Sequence, residues 1–132
     1  MGERMLTKAK ARRILTNVSE GEFAEATLDV LRAYGRAGQW LKLAQVAALA
    51  EMSVRSYQRR LSEEQGTFTK LVDQVRTELA TEMLSDTLAS VAQVAELLGY
   101  FNQGDFSRAW KRRSGTTPDE FRRAQRASKQ RS

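Results

Sequence analysis

Residues 43–61 read LAQVAALAEMSVRSYQRRL, and residues 91–113 read VAQVAELLGYFNQGDFSRAWKRR. The tetrapeptide Ala-Gln-Val-Ala occurs in both, at 44–47 and at 92–95, an offset of 48 residues. In each passage an apolar stripe is followed by a break and then by a stretch rich in Arg. A short apolar helix, a tight turn and a second helix carrying exposed cations form the pattern of a helix-turn-helix. Two copies predict an all-α fold, with two helix-turn-helix lobes in one small chain.

Outward from these passages the reading continues as helices, about seven in all. Ser19-Glu20-Gly21-Glu22 has the Ser-x-x-Glu form of a capping box. After it Phe23, Ala26, Thr27, Val30, Leu31 and Tyr34 recur at helical spacing, and Gly35 and Gly38 close that helix. Leu43, Val46, Ala47 and Ala50 form the buried stripe of a helix over 41–50, with Ala47 small where two helices cross. Ser53 caps a helix over 54–65 that stops at Gly66. Phe68, Leu71, Val72, Val75, Leu79 and Met83 predict one long helix over 68–84. Gly99 supplies the second turn and Asn102 the next N-cap, with Phe106 and Trp110 facing the core. Gly115 ends that helix. Pro118 opens a last short one, with Asp119 and Glu120 beside the positive end of its dipole. The organisation predicted is a partly ordered basic segment over 1–18 and a first lobe over 19–66. A linker helix over 67–85 leads to a second lobe over 86–127, and a basic tail over 128–132 follows.

Composition narrows the function classes. The net charge is +6, with Lys8, Lys10, Arg12 and Arg13 at the start and a dense run from Arg108 to Arg131 at the end. That balance favours a polyanionic partner. The chain has no Cys and no His, which removes thiolate and imidazole metal ligands, the Cys nucleophile and the usual general base. No glycine-bearing loop ends in Gly-Lys-Ser/Thr, so the expectation is no enzyme, no metal and no cofactor. No apolar run approaches a membrane span and no signal-peptide core opens the chain, which predicts a cytoplasmic protein without a membrane partner.

The ordered set of motifs resembles the DNA-binding domain of AraC/XylS-type bacterial transcription regulators. In the first half the resemblance rests on Met52 to Leu61 followed by Gly66-Thr67-Phe68. The second half matches more fully, through Gly99-Tyr100, then Phe106-Ser107-Arg108-Ala109-Trp110-Lys111, then Gly115-Thr116-Thr117-Pro118-Asp119-Glu120-Phe121-Arg122. It covers about residues 20–125. The resemblance implies sequence-specific binding of double-stranded DNA in the bacterial nucleoid. One helix of each lobe would lie in successive major grooves, and one chain would suffice as a monomer. It implies base contacts from Arg55, Gln58 and Arg59 in the first reading helix, and from Gln103, Ser107 and Arg108 in the second. Phosphate contacts would come from Ser53, Asn102, Lys111 and Arg112. RNA polymerase is the implied protein partner. Many family members carry a separate effector-binding or dimerisation domain, and the remaining 18 residues are too few to build one, so the expectation is either the DNA-binding piece of a larger regulator or a small stand-alone member.

Three residues depart from the pattern. Glu51 stands where many such turns have Gly. Gly104 offers no side chain to a base. Asp105 repels phosphate and is placed to pair with Arg108 three residues on. From these the first lobe is expected to carry most of the specificity. The competing reading is a module that docks on polymerase or another regulator and binds DNA loosely, by charge alone.

Overall fold

The computed structural model describes residues 6–86 and 88–131, and among these every regular element is an α-helix. The helices are α1 (Lys8–Thr16), α2 (Phe23–Arg36), α3 (Leu43–Leu49), α4 (Val54–Glu63), α5 (Phe68–Asp86), α6 (Val91–Leu97), α7 (Gln103–Ser114) and α8 (Pro118–Arg131). Among the described residues eight helices stand where about seven were expected. The chain divides into two compact units after Val75, within α5.

The added helix lies in the first unit, in the segment expected to be only partly ordered. Thr7 caps α1 by accepting from the Lys10 amide at 3.2 Å. Ala11 and Leu15, one turn apart, are fully buried, and α1 packs on α2 and α3. Ala11 and Leu15 make a faint buried stripe beside Lys8, Lys10, Arg12, Arg13 and Thr16, yet they bring α1 into the core.

The start of α2 corrects a second expectation. Ser19 and Glu22 form no capping box; Ser19 contributes only a backbone turn to the Glu22 amide. The first amides of α2 are capped from far along the chain. Phe23 N and Ala24 N donate to the two carboxylate oxygens of Glu64, at 3.0 and 2.8 Å. A carboxylate at a helix N-terminus satisfies orphan donors and complements the dipole. Glu64 follows α4, so this bond ties the end of α4 to α2. Tyr57 of α4 strengthens the same junction. Its ring meets Phe23 at 4.6 Å, and its hydroxyl bonds Thr27, which also donates to the Phe23 carbonyl. Burial pushes the Tyr57 hydroxyl up to about 12. Helix α4 ends with a left-handed residue at Gln65, and not at Gly66.

In the second unit α7 ends at Gly115 in the left-handed region. Thr117 and Glu120 then form a reciprocal capping box, each side chain bonding the other's amide at 3.1 Å. The Thr117 hydroxyl and amide hold the Glu120 carboxyl below its usual range. Helix α8 is 14 residues long, from Pro118 to Arg131, and is not the short helix expected. Its cations explain the length. Arg122 is buried and its Nε donates to the Leu84 carbonyl at 3.1 Å. Lys129 donates to the Ser85 carbonyl at 2.8 Å and to Asp86 at 3.1 Å. Both satisfy the last carbonyls of α5, where the helix dipole favours positive charge.

Candidate nucleic-acid interface

Each unit holds one helix-turn-helix, α3–α4 and α6–α7, and the repeated tetrapeptide has the same job in both. Gln45 accepts from the Lys42 amide at 2.7 Å, and Gln93 accepts from the Ser90 amide at 2.8 Å. The Gln is therefore the N3 side chain that satisfies the amide at the start of its helix. Val46 and Val94 are fully buried, as are Ala47 and Ala95. The turns repeat too. Met52 N donates to the Ala47 carbonyl at 2.9 Å, and Tyr100 N donates to the Ala95 carbonyl at 3.0 Å. The residue before each donor is left-handed: Gly99 at φ 81° and Glu51 at φ 59°. Glycine adopts this conformation freely and a glutamate does so at a cost. Glu51 reaches Arg12 of α1 at 3.6 Å. After the turns the register shifts. Ser53 caps α4 through the Ser56 amide, and Asn102 caps α7 through the Asp105 amide, at 3.1 and 2.8 Å. The caps are 49 residues apart because Phe101, almost fully exposed, is one residue more in the second turn.

Arg55, Gln58 and Arg59 are exposed on α4, on the side away from buried Tyr57 and Leu61. At about 100° per residue they share one stripe. Among the described residues no ion pair holds Arg55 or Arg59. Arg60 has another role, with its guanidinium 4.3 Å from the centroid of the Phe23 ring. Ser53 is exposed at the helix start, its hydroxyl donating to Ser56 Oγ at 3.0 Å.

On α7 the residues named from sequence separate. Gln103 is exposed and Ser107 half-buried, on a flank next to buried Trp110. Arg108 is about 180° from the midpoint of Phe106 and Trp110, facing outward between Lys111 and Arg112, both exposed. Its Nη2 donates to Asp105 Oδ1. Gly104 lies beneath the guanidinium. A Cβ placed there would come within 3.2 Å of Arg108 Nη1 and 3.3 Å of Asn102 Oδ1. Asn102, Gly104, Asp105 and Arg108 thus form one cluster at the start of α7. Lys111, Arg112 and Arg113 fill its last turn, where cations favour the helix.

A family described as Helix-turn-helix domain matches residues 46–124, more than half of the chain. An uncharacterized HTH-type transcriptional regulator of Mycobacterium tuberculosis is 37% identical over 78 residues, 59% of this chain and 23% of that protein. The chain spans about a quarter to a third of the length of the curated relatives it matches. An AraC-type DNA-binding domain-containing regulator from Chromobacterium violaceum superposes with a TM-score of 0.68 at 20% identity, covering 89% of this chain and 96% of that one. The DNA-binding domain of AdpA, solved with a target DNA, gives 0.67 at 23% identity, over 87% and 100%. At these identities the two structures show a shared fold.

Proposed function

This chain belongs to the AraC-type helix-turn-helix family of transcription regulators, and from that premise we propose that it reads double-stranded DNA by sequence, with α4 and α7 as the two reading helices. The observation that carries the reading is the doubled unit. Each copy buries its first helix through the same Val and Ala and turns through the same hydrogen bond. Each then presents an exposed arginine, Arg59 or Arg108, at the same distance from its N-cap. An outward Arg is suited to guanine O6 and N7, and Gln58 to adenine. Lys111 and Arg112 suit phosphate, with Ser53 and Asn102 at the helix starts. Successive major grooves on one face of the duplex are the matching target for two such helices.

The test is selection of bound fragments from a random duplex pool, followed by affinity against salt. Two short blocks about one helical turn apart support the reading. Arg59→Ala should then cost about 1–3 kcal/mol at one position of the first block. Absence of any motif, with affinity collapsing as salt rises, would replace the reading with the charge-driven interaction module. Contact with RNA polymerase is a further part of the proposal, checked by pull-down of purified polymerase on the selected DNA.

A further inference from the structure

Arg108 and Asp105 are a pair on the outward face of α7, and the pair has two opposite meanings. Asp105 either cancels the cation or aims it. Four features of the cluster favour aiming. The carboxylate takes one N–H of Nη2, and a guanidinium has five donors in a planar fork, so an edge remains for a base. Arg108 stays largely exposed while paired, its side chain at 70%. Asn102 Oδ1, and not Asp105, accepts the exposed amide at the helix start, so the Asp105 carboxylate is not occupied in capping. Gly104 leaves room for the guanidinium to lie back along the helix; any Cβ there would crowd Nη1.

Resting on the reading of α7 as a DNA-reading helix, we infer that Asp105 is a positioning residue that braces Arg108 for one guanine, and that Gly104 is the residue whose lack of a side chain permits the brace. An unbraced arginine on an exposed helix samples many rotamers and meets phosphate and base alike. A braced one presents its fork at a fixed place and loses less freedom on docking. The carboxylate also disfavours indiscriminate phosphate contact near the helix start. Specificity in the second block then comes from one arginine held in place, where Arg55, Gln58 and Arg59 of α4 act as a stripe.

The test uses the DNA selected by the wild-type chain, with each base pair of the second block varied in turn. Asp105→Asn is expected to leave binding to random DNA equal or tighter, while preference for guanine at one position falls about tenfold. Gly104→Ala is expected to lose preference at the same position, and its Tm, set by the better helix propensity of Ala against crowding of the Asn102 cap, is measured beside it to separate loss of the brace from loss of the cap. Arg108→Ala should abolish that preference, and Asp105→Asn added to it should change nothing more. If Asp105→Asn tightens or weakens all sequences equally with the guanine preference intact, the brace is refuted while sequence reading stands. If the wild-type chain selects no motif, the failure belongs to the reading itself.

Discussion

Glu51 is one of two non-glycine residues, with Gln65, that hold a left-handed backbone among the described residues. It holds φ 59° in the turn between α3 and α4, where the second unit has Gly99. The left-handed region costs a non-glycine residue about 1–2 kcal/mol. The compensation in view is an exposed ion pair with Arg12 at 3.6 Å, and such pairs contribute about 0–1 kcal/mol. Strain exceeds compensation, so Glu51→Gly should raise stability by roughly 0.5–1 kcal/mol, less what glycine adds to unfolded-chain entropy. Glu51→Ala keeps the strain and loses the pair, so it should lower stability. Urea unfolding of both variants checks this, and a Glu51→Gly protein no more stable than Glu51→Ala would show the turn unstrained.

The helix ends divide the basic residues into two populations that the sequence alone does not separate. Arg122 lies in the same dense run as Lys111, yet it is buried against the last carbonyls of α5. Arg122→Ala should therefore lower Tm, leaving a buried acceptor unmatched at about 1–3 kcal/mol, with the salt slope of DNA binding unchanged. Lys111→Ala should do the reverse, leaving Tm in place and reducing the slope of log K against log salt by about one. Both are read from one melting curve and one salt titration per variant. The same distinction explains what was legible. Gly99, Gly115, the Ser53 and Asn102 caps and the apolar stripes act within a few residues, so their spacing announces them. Glu64 capping α2, Arg122 capping α5 and α1 seated by two small contacts depend on partners tens of residues away, and no local pattern carries that information. At the candidate site the exposed stripe of α4 was readable from i, i+3, i+4 spacing. On α7 the Arg108–Asp105 pair was readable as competition, but the closeness of the guanidinium to Gly104 is a three-dimensional feature that no spacing announces.

For the whole chain, alkaline pH is the sharpest probe of the first unit's junction. The Tyr57 hydroxyl is pushed up to about 12 by burial, against an ordinary value of 10.0. Below pH 10 both folded and unfolded tyrosine keep the proton and this source leaves stability unchanged. From pH 10 towards 12 the unfolded state loses the proton first, so stability should fall by about 1.4 kcal/mol per pH unit. Tyr57→Phe should start less stable by about 1 kcal/mol for the lost hydrogen bond and then show a shallower alkaline decline. Denaturant midpoints at pH 9, 10 and 11 for both proteins decide it. The extra residue Phe101 has a different consequence, for anyone wishing to rewire the molecule. The modules are copies with a frameshift: a graft counted from the Ala-Gln-Val-Ala landmark would rotate every transplanted side chain by about 100°. Counted from the caps, Arg55, Gln58 and Arg59 map onto Gly104, Ser107 and Arg108. Two substitutions, Gly104→Arg and Ser107→Gln, would then duplicate the first module's alphabet in the second, at the expense of the brace.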